Sequence, residues 1–516
     1  MEKFAYSNQA LAVLIVYLLI MIGIGWYASK RIKGSVDFVV AGRRLPLWLS
    51  VGTLVATWFC GGAVMGATSE AYSWGLQGII WDPLSSVPAF ILVGFLFVRM
   101  FRRARYLTPA DMFMSRFGKA AGVANAVVVS LCSELIWLGS VLVAFGAVIS
   151  MFTGMSLTMA IVIASVVTCV YTYLGGMWAV SLTDFIQMVL LIIGILIVFP
   201  AAINAVGGWG SFVANAGNVE GLPPFAMWPV GGEAGYLYYT GIEGWMYYAV
   251  AWASIGLAGT VAAQDFWQRI LAAKNEKTAV RTCWITSAIY LIFGMMCPLI
   301  GIAAWEINPT FTGAAVEQIF PWMATTLLSP YLAIFVSVGL IAALMSSGDS
   351  AALAAASLWG RNIQLAIRPK ATDKQMLSWT RAMVPVAILV AALIALVAQT
   401  VYWLMCMAYA LTLVVLFVPT AFGIFWKKYN NYGCWSYIIA SIAFEVGLTI
   451  RYLPVYGIDD ASYMVAIPTI LISLTISIVV TLLTQQVDPP KPFADIDGNP
   501  LPVKNWLGSW NAVDGG

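Results

Sequence analysis

The stretch MSSGDS, residues 345–350, sets three hydroxyls and a carboxyl side by side inside an apolar run. Ser346, Ser347, Asp349 and Ser350 cluster on one turn of a helix otherwise built from small residues. Their oxygens are hard donors, suited to an alkali cation. A second feature lies far upstream. VATWFCGG, residues 55–62, interrupts another apolar run with Gly61 and Gly62, and Gly66 follows. Glycine costs about 1 kcal/mol in a helix interior. Such a segment reads either as close packing or as a helix opened onto a cavity, where freed carbonyls hold a cation. Trp58 sits within it. A third feature, SIGLAGTVAAQDFWQR at 254–269, carries Gly256 and Gly259. Acids also lie in or at the ends of apolar runs: Glu70, Asp82, Glu134, Asp184 and Asp265. Charge inside a bilayer is costly and marks function by default. Glu134 is mid-run, with Trp137 one turn on.

The elements that position these residues are transmembrane helices. The chain has 516 residues, 61% hydrophobic and 9% charged, against about 25% charged in soluble domains. Mean hydropathy is +0.88. Apolar runs of about 20 residues, each long enough to cross a bilayer, recur throughout. We read an all-α integral membrane protein with thirteen spans: 8–29, 46–70, 78–102, 121–152, 157–175, 182–205, 240–268, 281–305, 331–367, 377–398, 401–426, 432–451 and 464–484. The first reads as a retained helix rather than a signal peptide. With the N-terminus outside and the C-terminus cytoplasmic, every Lys and Arg except Lys3 and Arg451 falls on the inside, as the positive-inside rule requires. Arg269 is counted there as a loop charge. The loop 206–239 holds no Lys or Arg and reads as a lid or short surface helices. The Pro-rich tail after 485 reads as mostly flexible. The seven cysteines lie in or beside apolar runs and read as buried thiols.

The two glycine-interrupted helices are the second and seventh, five apart. Five being odd, helices 2–6 and 7–11 run in opposite senses. Interrupted helices at matching places of two inverted halves point to a transporter's midplane site. No histidine is present, which removes imidazole nucleophile activation, relays and His-metal sites. No phosphate loop or metal-ligand constellation is visible, so no enzyme activity is expected.

Four segments carry a family resemblance: AGRRLPLWLSVGTLVATW (41–58), YTYLGGMWAVSLTDFIQ (171–187), QRILAAKNEKTA (268–279) and ALMSSGDSAALAAASLWGRNI (343–363). In this order they resemble the sodium:solute symporter family across nearly the whole chain. The resemblance implies a LeuT-like 5+5 inverted repeat. It divides the chain into an extra N-terminal helix and first loop (1–45), a first repeat (46–206), an outer loop (207–239), a second repeat (240–426), two C-terminal helices (427–484) and a cytoplasmic tail (485–516). It also implies sodium ligands: the carbonyls of Ala56, Phe59 and Ala343 and the hydroxyls of Ser346 and Ser347. The family's coupling acid falls on Asp184, which can equally cap its helix. Within the family, VATW, SELIW (133–137), MSSGDS and TVY (400–402) resemble the high-affinity choline transporter branch. That likeness implies an aromatic cage for a quaternary ammonium, held by cation–π attraction. Trp58 and Trp137 match two cage positions. The two others fall on Ala263 and near Pro88, so part of the cage is lost. Trp252, Tyr402, Trp81 and Trp403 are the aromatics available to replace it, with Glu134 as acid.

The expected function is sodium-coupled import of a small organic solute by alternating access. The solute is choline-like or another organic cation; an amino acid, monocarboxylate or sugar is the alternative. A substrate-sensing membrane protein or a channel is the competing class. Sodium, the solute and a cell-membrane bilayer are the expected partners, with no nucleic acid.

Overall fold

The computed structural model describes residues 7–228 and 238–501. Lys3, Lys504 and the stretch 229–237 of the outer loop lie outside the described residues. Helices dominate because hydrocarbon offers no partner to a backbone amide, and a helix satisfies its own. Among the described residues nine helices are long and apolar enough to cross a membrane, and two bent pairs raise this to as many as eleven. Two shorter apolar helices, Ser86–Leu96 and Leu157–Tyr173, cover the remaining two expected spans. The thirteen-span count therefore rests on these two, which fall short of a full crossing by length alone.

Two expected connections are tighter than read. Residues 177–181, a connection by the hydropathy reading, are helical: the chain turns at Gly176, whose φ of 57° and ψ of 175° suit glycine, and enters the next helix at once. Gly457 (φ 78°) makes the same turn between the last two helices. The long run reads through as one helix, Pro330–Ile367. It forms the centre of the molecule, with 83% of its apolar window buried. Asn8–Ser29 and Asn431–Gly457 are only 22% buried and form the rim.

The two interrupted helices are bent. Leu47–Trp58 meets Gly62–Ile79 at 60°, and Gly241–Ala262 meets Gln264–Ala272 at 55°. Their halves Leu47–Trp58 and Gln264–Ala272 are tied at their base. Leu45 N–H donates to the Ala272 carbonyl at 3.0 Å, and Lys274 N–H to the Leu45 carbonyl at 3.0 Å. Basic segments gather at this end. Arg43 donates to the Arg105 carbonyl, Arg102 to Ala273 at 3.2 Å, and Arg103 pairs with Glu276 at 2.9 Å.

The outer loop forms the short helix Trp209–Asn215. It then fastens onto the first bent helix through Val219 N–H to the Tyr72 carbonyl and Leu76 N–H to the Pro224 carbonyl.

The tail departs from its reading. Residues 485–501 pack against the basic end instead of hanging free. Phe493 is buried. Ile496 N–H donates to the Ala104 carbonyl at 2.9 Å, Tyr106 donates to the Ala494 carbonyl, and Arg105 pairs with Asp497 at 3.1 Å. Arg116 holds the Lys491 carbonyl. Proline and charge suggested disorder; the missed signal was the lone Phe493, an anchor between prolines. Truncating a buried Phe costs about 3 kcal/mol. Phe493→Ala is expected to speed proteinase K cleavage within residues 485–501 at least tenfold in membranes opened to the protease. Equal rates in the two proteins would mean the tail is not anchored there.

Candidate functional site

The first break spans Phe59–Gly61. Phe59 leaves helical geometry (ψ 65°), and Cys60 N–H turns back to the Trp58 carbonyl at 2.8 Å. The last carbonyls of Leu47–Trp58 thus lack a continuing helix. The serine helix supplies their partners. Ser346 donates to the Ala56 carbonyl at 2.6 Å, with Ala343 at 3.2 Å. Ser347 reaches Thr57 at 3.0 Å, Ala343 at 3.1 Å and Ala56 at 3.3 Å. Gly61 permits the approach: a Cβ there would lie 2.7 Å from Leu344 and 2.8 Å from Ala144. The helix thus breaks and also packs closely at these glycines. The oxygens of Ala56, Ala343, Ser346 and Ser347 converge, and all four residues are buried. The Thr57 carbonyl joins them; the Phe59 carbonyl makes no hydrogen bond to the serines. An all-oxygen cluster without a carboxylate in direct contact suits a weakly hydrated monovalent cation.

Asp184 is one step removed. It is fully buried and accepts from Thr53, with its other oxygen unpartnered. Thr57 donates to the Thr53 carbonyl at 2.7 Å and lies 3.0 Å from Ser350. Asp184 is therefore linked to the serine turn through Thr53, by its hydroxyl on one side and its carbonyl on the other, and then through Thr57, rather than capping a helix start.

Trp58 faces inward from the break. Its ring meets Phe90 at 5.0 Å, Tyr409 at 5.6 Å and Phe266 at 6.3 Å between centroids. Asp265 lies beside its indole. Phe90 and Phe266 meet the indole edge-on and Tyr409 lies tilted across it, an aromatic cluster with a carboxyl at its side, the chemistry that attracts an organic cation. The sequence reading missed Phe90, Phe266 and Tyr409. Phe90 is two residues past Pro88 and Phe266 three past Ala263, so the rings are supplied within about a turn of the positions judged empty. Tyr409 carried no such signal.

Comparison with known proteins bears on what this site serves. The model of the sodium:solute symporter family matches residues 38–440. The chain belongs to the sodium:solute symporter family. A high-affinity choline transporter of Caenorhabditis elegans is 28% identical, over 85% of this chain and 76% of its own. The human high affinity choline transporter is 27% identical, over 83% and 75%. A sodium/glucose cotransporter of Vibrio parahaemolyticus is 26% identical, over 89% and 88%. Among solved structures, a Na+-coupled sialic acid symporter in a substrate-bound, outward-open state superposes with a TM-score of 0.72 at 22% identity, covering 92% of this chain and 98% of that one. The fold is all-α and LeuT-like, and the activity is sodium-coupled import of a solute.

In this symporter, several residues expected at the solute have other geometry. Glu134 is turned from the rings to the second break. Ala263 leaves helical geometry there (ψ 132°), which exposes the first amides of Gln264–Ala272. Glu134 accepts from Gln264 N–H at 2.9 Å and Asp265 N–H at 3.2 Å. It is an N-cap supplied by a neighbouring helix, favoured by the positive end of the helix dipole. Tyr402 is spent on structure: its hydroxyl bridges the Gly78 carbonyl at 3.1 Å and the Asp82 backbone at 3.2 and 3.3 Å. Trp252 stacks on Trp228 of the outer loop at 5.7 Å. Trp81 packs on Tyr463 at 4.9 Å. Trp137 is buried with its indole N–H unpartnered and lies beside Cys60 in the first break.

A buried amide left without its acceptor costs about 1–3 kcal/mol. Glu134→Leu, which strips both amides of their acceptor, is expected to lower the melting temperature in detergent clearly. Glu134→Gln keeps a carbonyl oxygen and should lose less. A Leu variant as stable as wild type would show that the cap contributes nothing.

Proposed function

We propose that the imported solute is a small organic cation of choline-like chemistry, moved with sodium by alternating access. The observation that carries this reading is Trp58 in the broken turn, ringed by Phe90, Tyr409 and Phe266 with Asp265 alongside. A quaternary ammonium donates no hydrogen bonds; aromatic faces and a nearby carboxyl are what recognise it. The names of the choline-transporting relatives agree with that chemistry.

In this account sodium, as co-substrate, enters from outside and is held by the carbonyls of Ala56, Phe59 and Ala343 and the hydroxyls of Ser346 and Ser347. Those hydroxyls turn their lone pairs to the ion in place of donating to carbonyls. Sodium then fixes Leu47–Trp58 against the serine helix, which sets the Trp58 ring for the solute. Asp184, reached through Thr53, stabilises the positive charge and assists its release to the cytoplasm. The basic end, with the tail, faces inward; the N-terminus faces outward. One sodium crossing 100 mV gains about 2.3 kcal/mol, worth roughly 40-fold accumulation, and a monovalent cationic solute crossing with it gains about as much again.

The test is the current in proteoliposomes pulsed with choline, in sodium and in potassium. A saturable current that needs sodium is expected. Trp58→Ala, losing a desolvated cation–π contact of about 2 kcal/mol, should raise the half-saturating concentration roughly 30-fold. No choline current, with a sodium-dependent response to an amino acid, carboxylate or sugar in the same vesicles, would overturn the cationic reading.

A further inference from the structure

Arg269 was read as a loop charge, yet it is fully buried at 0% exposure. It lies in the last turn of the helix Gln264–Ala272. Its guanidinium donates to the Ser350 hydroxyl, to the Asp265 carbonyl at 3.0 Å and to Gln268 at 3.3 Å. Among the described residues no carboxylate lies within ion-pair distance of it. Four carboxyls nonetheless stand within electrostatic reach: Glu134, Asp184, Asp265 and Asp349. Each keeps one oxygen unpartnered, and so does the Arg269 Nε. A buried guanidinium that touches none of the acids around it is costly as a purely structural device.

Its contacts join two places. Ser350 sits one turn beyond the sodium serines. It donates to the Ser346 carbonyl at 2.5 Å and lies 3.0 Å from the Thr57 hydroxyl, and the Thr57 carbonyl accepts from Ser347. At its other side, Arg269 grips the carbonyl of Asp265, whose carboxyl borders Trp58 and whose neighbour Phe266 faces the same ring.

We infer that Arg269 is a positioning residue that carries the state of the Ser346–Ser347 cluster to the Trp58 pocket, by bridging Ser350 to the head of Gln264–Ala272. A cation in the cluster sets a positive charge on the far side of Ser350 and Thr57 from the guanidinium. The repulsion acts on Arg269, and through it on Asp265 and Phe266. The ion thus interacts differently with two arrangements of the pocket, which is what coupling requires. This inference rests on the proposed sodium site but not on the identity of the solute.

The test uses the intact protein with sodium alone. Native Cys60, at the first break, is alkylated with N-ethylmaleimide in sodium and in potassium, and its rate is read by peptide mass spectrometry. Sodium stabilisation is read separately by melting temperature. In wild type, sodium is expected to change the Cys60 rate about tenfold. In Arg269→Gln and in Ser350→Ala the change should fall below about twofold, while sodium still raises the melting temperature. Ser350→Ala removes no charge and decides the matter if Arg269→Gln does not fold. Retention of the wild-type change in the variants, or its absence from wild type, would overturn the inference. Loss of sodium stabilisation in Ser350→Ala would also overturn it, making Ser350 an ion ligand instead of a relay. Because no solute is added, a failure of choline uptake leaves this result readable.

Discussion

A backbone group left without a partner in hydrocarbon costs several kcal/mol. The centre of this symporter is organised by that constraint. Two helices break in the middle of the molecule, and each break releases polar groups that something must satisfy. At Phe59–Gly61 the released groups are carbonyls, and the hydroxyls of Ser346 and Ser347 take them. At Ala263 they are amides, and the Glu134 carboxylate takes them. One break offers oxygens, the other N–H groups. In the function proposed above, the first exchanges its hydroxyl partners for sodium, whereas the second is closed by the Glu134 carboxyl.

The half-helices Leu47–Trp58 and Gln264–Ala272 are joined at the base through Leu45, Ala272 and Lys274 and meet again where Phe266 approaches Trp58. Between these points the serine helix lies alongside, contacting one through Ser347 and the other through Ser350. A change in the oxygen cluster accordingly reaches both halves. Glu134 holds the head of the second half while its base is tied to the first, so the pair moves as one body more readily than as two. That arrangement suits a core that rocks between outward and inward access.

Much of this was legible in the sequence. Hydropathy placed the membrane helices and glycines located both broken ones. The serine turn announced an oxygen cluster, because three hydroxyls beside a carboxyl are conspicuous on a helix of alanines. What stayed hidden depended on direction. Glu134 read as a solute contact because position along the chain cannot tell which way a carboxyl points, and the amides it caps lie 130 residues away. Arg269 read as a loop charge because a basic residue near a helix end usually reaches water. The rings beside Trp58 stayed hidden because they were sought at fixed positions, whereas Phe90 and Phe266 approach it from about a turn away. The tail read as flexible on composition, though one phenylalanine was enough to pin it.

The central claim is that the first break and the serine turn together hold sodium. The most direct test is sodium binding to the purified symporter in detergent, without solute, comparing wild type with the double variant Ser346→Ala plus Ser347→Ala. With each hydroxyl contributing about 1.5 kcal/mol, the variant should bind sodium roughly 100-fold more weakly. Unchanged affinity in a folded variant would place the ion elsewhere and contradict the account.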